Sequence, residues 1–263
     1  MQTTGRRRCE TNPYSFIHRA KITDEGTRVK AQGGACSDMY SLCLVSCNLC
    51  LAMRYFVKTP GWLKRIYPNR LWNINTKEKI IYLSFDDGPH PAATPFVLDE
   101  LKKYNVKATF FCIGKNVVDN PALYKRILDE GHRVGNHTHN HLNGWKTNTE
   151  DYLADVAEAS KYIESHLFRP PYGRITSSQA KGISRVIKQG SSKIVMWDVL
   201  SGDFDESISK EKCLDNVISK TRAGSIIVFH DSEKAFHLLE YVLPHVLQFF
   251  LKERYAFRKI EIQ

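Results

Sequence analysis

"KIIYLSFDDGP", residues 79–89, joins a strand-forming run to two adjacent aspartates and a Gly-Pro turn. Residues 79–85 read as a strand, and Asp86 and Asp87 fall where it ends. The same grammar recurs down the chain. Thr94-Pro95 reads as an N-cap with proline at the first helical position, opening a helix with Val97, Leu98, Leu101 and Tyr104 on one side. "ATFFCI" (108–113) is a second strand. Asn120-Pro121 repeats the helix-start signal, with Leu123, Ile127 and Leu128 as the expected buried stripe and Gly131 at the C-terminal cap. "HRVGN" (132–136) is a third strand. Thr147-x-x-Glu150 reads as a capping box ahead of a helix carrying Leu153, Val156, Ser160, Ile163 and Leu167. Further strands are read at "LFR" (167–169), "KIVMWDV" (193–199), "SIIVFH" (225–230) and "FRKIEI" (257–262). Helices are read at 177–188, 209–221 and 233–255, with Pro244 expected to kink the last. About seven strand–helix units imply βαβ connections and parallel strands, hence an α/β fold of the distorted or incomplete (β/α) barrel type.

The rest of the 263-residue chain is organised differently. Over the whole chain, 42% hydrophobic and 25% charged residues are ordinary for a globular protein. The net charge of +10 would suit an anionic or membrane-surface partner. Its lysines and arginines are scattered, however, with no run longer than Arg6-Arg7-Arg8 and no nucleic-acid motif. We read a basic solvated surface and expect no nucleic-acid partner. Five of the seven cysteines (Cys9, Cys36, Cys43, Cys47 and Cys50) precede residue 51. Cys47 and Cys50 form a C-x-x-C, but no second ligand pair follows at zinc-site spacing, so it is not read as a metal site. The uncharged run 39–53 is short for a membrane span and follows a long polar stretch, the wrong layout for a standard signal peptide. We therefore expect no stable membrane span, a monomer, and a bacterial-type cytoplasmic or cell-envelope protein with the compartment left open. Residues 1–52 show no sustained period and are read as an extension outside the folded domain, with Met53 a candidate true start. Residues 53–78 are read as a lead-in and 79–263 as the catalytic domain.

Ionisable side chains cluster after the strands. Asp86 and Asp87 follow the first, and His137, His139 and His141 follow "HRVGN". Arg169 ends "LFR", Asp198 and Asp203 lie in and after "KIVMWDV", and His230 and Asp231 end the "SIIVFH" region. In parallel barrels the C-terminal strand ends carry the active site. An Asp-Asp-Gly-Pro stretch alone is explained by a turn; repetition of the pattern over successive units is not. The residue types point to metal-assisted hydrolysis. Two histidines at i, i+4 plus a carboxylate match the three protein ligands of a catalytic zinc, which lowers the pKa of bound water toward about 7. The neighbouring aspartate can take the proton from that water, and a histidine elsewhere can protonate the leaving group.

These residues resemble the polysaccharide deacetylases, the NodB-homology group also called carbohydrate esterase family 4. The matching stretches are "SFDDGP" (84–89), "HTHNH" (137–141), "RPPYG" (169–173) and "IVFHD" (227–231), in the family's order. The resemblance spans essentially everything from residue 79 onward and implies a NodB-like distorted (β/α) barrel. It implies that Asp86 is the general base and that Asp87, His137 and His141 hold one divalent metal, zinc or alternatively cobalt. Arg169 would orient Asp86, the Tyr172 N–H would serve the oxyanion while its ring lines the groove, and His230 would be the general acid. Pro171, Trp197, Asp203 and Phe204 are candidates for carbohydrate contact. His139 and His90 receive no catalytic role. The implied reaction removes N-acetyl groups from a chitin- or peptidoglycan-like sugar, releasing acetate. An O-acetyl esterase and an impaired carbohydrate-binding protein are the alternatives. One motif departs from the family: in "LSGDF" (200–204), Leu200 stands where the family's D-x-x-D-W has its first aspartate, and Phe204 replaces the tryptophan. Loss of that carboxylate is expected to leave His230 less basic and less well oriented. Asp198, two residues earlier, is the candidate stand-in.

Overall fold

Strand β1 (Ile80–Asp86) is buried along its whole length, as a strand covered on both faces must be. Its side chains alternate between two apolar clusters. Ile81, Leu83 and Phe85 join the larger one, packed beneath the helices, and Ile80 and Tyr82 join the smaller one inside the barrel. Ser84 and Asp86 share the inward parity of Ile80 and Tyr82, so the period of two aims a carboxylate into the interior at the strand's end.

A computed structural model of the chain describes residues 55–187 and 192–261. After α1 (Gly61–Ile66) and β1 come α2 (Ala93–Lys103), β2 (Thr109–Cys112), α3 (Gly114–Asp119), α4 (Pro121–Asp129) and β3 (Arg133–Asn136). Then follow α5 (Thr149–Ala159), β4 (Leu167–Phe168), a 3-10 turn (Pro171–Gly173), α6 (Ser177–Val186), β5 (Lys193–Ile194) and β6 (Val199–Leu200). The order closes with α7 (Lys210–Lys220), β7 (Ile226–His230), α8 (Glu233–Lys252) and β8 (Ala256–Phe257). The sheet runs β5-β4-β3-β2-β1-β7-β6 with every pairing parallel, and β8 adds to the start of β1. This is the incomplete (β/α) barrel expected from the sequence. Among the described residues no helix is long and apolar enough to cross a membrane. The extension at 1–52 and the candidate start at Met53 lie outside the described residues.

The sheet ends at β5 and β6, neighbours in sequence that do not pair with each other. Residues 55–73 bridge this opening. The Leu71 N–H donates to the Ile194 carbonyl at 2.9 Å, and the Met196 N–H donates to the Leu71 carbonyl at 2.7 Å. On the other rim the Leu200 N–H donates to the Val57 carbonyl at 2.8 Å. Asp198 anchors the bridge, receiving Lys58 Nζ at 2.5 Å, Lys64 Nζ at 2.6 Å and the Ser225 hydroxyl at 2.5 Å. Asp198 is thus committed to the barrel opening and does not support His230.

Several local expectations are corrected. "KIVMWDV" is not one strand: it pairs at Lys193–Ile194, breaks, and a new strand begins at Val199. Arg169 takes the Val195 and Met196 carbonyls, which removes them from any ladder. Thr94 lies inside α2 and is not its cap; its hydroxyl donates to Asp231 at 2.5 Å and accepts the His90 N–H at 2.7 Å. The cap of α5 is Asn148, which accepts from the Asp151 N–H, instead of Thr147. Leu128 is 44% exposed, leaving Ile127 as the buried residue of α4. Pro244 sits inside α8, which the structure carries as a single element.

Asp198→Asn should lower the melting temperature by ~4–8 °C, corresponding to about 2 kcal/mol, since two part-exposed lysines lose their shared partner. It should leave the pH dependence of catalysis unmoved. Thermal denaturation beside a pH–rate profile checks both, and a shifted alkaline limb would return Asp198 to a role at His230.

Candidate active site

The strand register assembles the site. Asp86 on β1 pairs with His230 on β7, and Asn136 on β3 pairs with Phe168 on β4, so His137 stands beside Arg169 one step further on. Asp86, Asp87, His137, His141, Tyr172, Trp197, Phe204 and His230 all line one cavity of about 610 Å³. The histidine stretch is neither helix nor strand but a loop.

Asp86 is 4% exposed, and its Oδ1 accepts from Arg169 Nη1 at 2.6 Å. Arg169 is fully buried behind it, donating also to the Ser84 hydroxyl at 2.8 Å and stacking its guanidinium 4.0 Å from the centre of the Phe111 ring. It therefore lies off the cavity wall, and reaches any reacting group only through Asp86. The backbone carbonyl of the same Arg169 accepts from His137 Nδ1 at 2.7 Å. A carbonyl only accepts, so Nδ1 carries the proton and the lone pair of neutral His137 lies on Nε2.

That lone pair converges with two others. Ligand atoms of Asp87, His137 and His141 all lie within 4.8 Å of one another. His141 Nε2 stands 3.1 Å and His137 Nε2 3.5 Å from Asp87 Oδ1, a buried oxygen that no donor satisfies with hydrogen-bond geometry. An orphaned carboxylate oxygen facing two imidazole nitrogens is a poor arrangement for a protein alone and a fitting one for a divalent cation. The backbone is bent to reach it: Asp87, Thr138, His141 and Tyr172 all have left-handed φ, between 56° and 79°. Asp155 holds the loop from behind, accepting the His139 N–H at 2.7 Å and the Asn140 N–H at 3.0 Å. Gly88 has no room for a Cβ, because the Asp231 carboxylate occupies that place and accepts the Gly88 N–H at 3.1 Å. His139 turns away, its ring lying against Gly114 with the Tyr162 ring at 5.9 Å.

At the end of β7, His230 Nδ1 donates to Asp203 Oδ1 at 2.8 Å, and the His230 N–H donates to Oδ2 at 2.7 Å. Burial alone would disfavour the imidazolium. The Asp203 carboxylate, with Asp87 and Asp86 nearby, outweighs it and raises the His230 pKa to about 9. This overturns the expectation drawn from Leu200. Asp203, the retained aspartate of the motif, supports His230, while Leu200 and Val228 give the cavity apolar wall. Asp203 is fully buried and so contacts no sugar. Pro171 does not line the cavity, whereas its neighbour Pro170 does. The Tyr172 ring is 60% exposed, at 4.7 Å from that of His141, and its N–H meets no acceptor among the described residues. Ser84, Asp155 and Tyr55 were missed by sequence reading; their identities carry no signal until the sheet is assembled.

A converged carboxylate–histidine triad flanked by a buried carboxylate and a carboxylate-held histidine defines a hydrolytic site. The comparisons agree. Residues 73–186 match the family model described as polysaccharide deacetylase. A peptidoglycan-N-acetylglucosamine deacetylase of Bacillus cereus is 34% identical over 192 residues, covering 71% of this chain and 88% of that protein. A chitooligosaccharide deacetylase of Azorhizobium caulinodans is 32% identical over 166 residues, 60% of this chain and 76% of the relative. The crystal structure of the Bc1960 peptidoglycan N-acetylglucosamine deacetylase superposes with a TM-score of 0.69 at 30% identity, over 77% of this chain and 95% of that one. The chain belongs to the polysaccharide deacetylase family, and its relatives named peptidoglycan N-acetylglucosamine deacetylases are hydrolases of non-peptide carbon–nitrogen bonds.

His137→Ala and His141→Ala should each abolish stoichiometric zinc binding in equilibrium dialysis. His139→Ala should keep the metal while lowering the melting temperature, because its ring fills space under α3. Loss of zinc in the His139 variant would break the assignment.

Proposed function

We propose that the protein removes N-acetyl groups from a chitin- or peptidoglycan-like polymer or oligomer, releasing acetate. The observation that carries this is that Asp86 and His230, paired across β1 and β7, line one cavity with the Asp87–His137–His141 triad. Those three residues would hold one divalent metal; their nitrogen and oxygen donors suit zinc, with cobalt an alternative. When bound, such an ion polarises the amide carbonyl and acidifies water.

The chain's own groups do the rest. Asp86, held by Arg169, takes the proton of the attacking water on its carboxylate. The Tyr172 N–H, presented by the left-handed turn, donates to the developing oxyanion. His230, protonated by virtue of Asp203, gives its Nε2 proton to the amide nitrogen as the C–N bond breaks, and the amine sugar and acetate leave. An ester on the same scaffold would pass through a similar tetrahedral state. An impaired binding protein is disfavoured by the intact Asp203–His230 pair.

Acetate release with added zinc, compared on N-acetylated and O-acetylated oligosaccharides, tests the proposal. N-acetyl substrates should be turned over faster, and Asp86→Asn should reduce the rate by ~100-fold or more. Wild-type protein that binds zinc yet releases no acetate from either set would reject it. The reaction needs His230 protonated, so activity should persist below the pKa of His230 and fall as pH rises through about 9. In Asp203→Asn that alkaline limb should move down toward the ordinary histidine range near about 6.5. A limb that stays in place would remove Asp203 from the mechanism.

A further inference from the structure

Tyr55 lies ahead of the stretch that matches the family model, yet its side chain lines the same cavity as Asp86 and His230. The approach is built rather than incidental. The Tyr55 hydroxyl donates to Asp205 Oδ2 at 3.1 Å. Gly202, with a φ of 84°, leaves the space for it: a Cβ there would come within 2.8 Å of the Tyr55 oxygen. Burial, followed by the Asp205 charge, pushes the Tyr55 phenol up, so it remains a neutral donor at any working pH.

The rings continue one another. Tyr55 and Phe204 have centroids 5.1 Å apart, and Phe204 meets the His230 imidazole edge-on at 5.2 Å. His230 marks the side of the cavity where the nitrogen departs, and in deacetylation the nitrogen belongs to the sugar. The wall that runs from His230 through Phe204 to Tyr55 therefore faces the sugar and not the acetyl group. Aromatic faces bind the apolar C–H faces of pyranose rings, and the edge carrying the Tyr55 hydroxyl and Asp205 offers polar groups to the ring's hydroxyls.

Just beyond Tyr55 the chain is fixed to the barrel rim. The Thr59 N–H donates to the Asp198 carbonyl at 2.9 Å and the Thr59 hydroxyl to the Trp197 carbonyl at 2.7 Å, beside the lysine–Asp198 anchor. The segment that closes the barrel opening thus also presents the ring.

We propose that Tyr55 is a specificity-determining residue that binds a pyranose ring on the leaving-group side of the site, an inference that rests on the deacetylase reading above. The test is steady-state kinetics of wild type, Tyr55→Phe and Tyr55→Ala on an N-acetylglucosamine tetramer and on an aryl acetate, which has no sugar. Tetramer affinity in the Asp86→Asn background and the melting temperature of each variant complete the set. Tyr55→Ala should raise the tetramer KM about tenfold, with a smaller change in kcat, and weaken tetramer binding to match. Its loss on the tetramer should exceed that on the aryl acetate, and Tyr55→Phe, which keeps the ring, should fall between wild type and alanine. An unchanged KM and affinity, or equal losses on both substrates, would overturn the inference. A wild-type protein without activity on the tetramer, but with tetramer binding that depends on Tyr55, would instead overturn only the deacetylase reading.

Discussion

A guanidinium with no exposure to water sits behind the site. Burying an unpaired charge is among the largest penalties a fold can carry, so the surroundings of Arg169 must satisfy it completely. Asp86 supplies the opposite charge, Ser84 Oγ an acceptor, and the Val195 and Met196 carbonyls take the remaining edge. These partners come from β1 and from the chain just after β5, and Phe111 of β2 covers the flat face. The carbonyl of the same residue fixes the tautomer of His137. A single side chain thereby fixes the Asp86 carboxylate in place, while its backbone orients one histidine of the triad. Removing the guanidinium would leave Asp86 buried without its counter-charge, damaging fold and chemistry together.

This constraint also explains where sequence reading succeeded and failed. The alternation of β1, the helix start at Asn120-Pro121 and the positions of Asp86, Asp87, His137, His141 and His230 after strands were legible, because period and strand-end placement are local properties. The break in "KIVMWDV" was not, because its cause is an arginine distant in sequence that claims two carbonyls. Thr94 offered a strong capping signal and was instead recruited to Asp231, a contact made across more than a hundred residues. The fourth motif was misread in the same way. A missing aspartate at Leu200 looked like a lost support for His230, but support depends on which carboxylate reaches Nδ1 in space, and Asp203 does so.

The opening between β5 and β6 gives the N-terminal part of the described chain its importance. A sheet with two unpaired rims exposes backbone groups that must find partners. Residues 55–73 provide them, and Asp198, whose burial would be unfavourable alone, is stabilised by the two lysines the segment brings. Nothing in residues 53–78 announces this role as a periodic strand or helix would, because isolated bridges leave no pattern in sequence. The segment looked like a lead-in and is part of the barrel's closure.

The central claim is that Asp87, His137 and His141 form a metal site in the cavity they share with Asp86 and His230. Anomalous X-ray diffraction at the zinc edge from zinc-soaked crystals tests it most directly. The account predicts one strong peak ~2.0–2.2 Å from Asp87 Oδ1 and from the Nε2 atoms of His137 and His141. A peak bound instead through His139 or His230, or no peak in the cavity at saturating zinc, would contradict it.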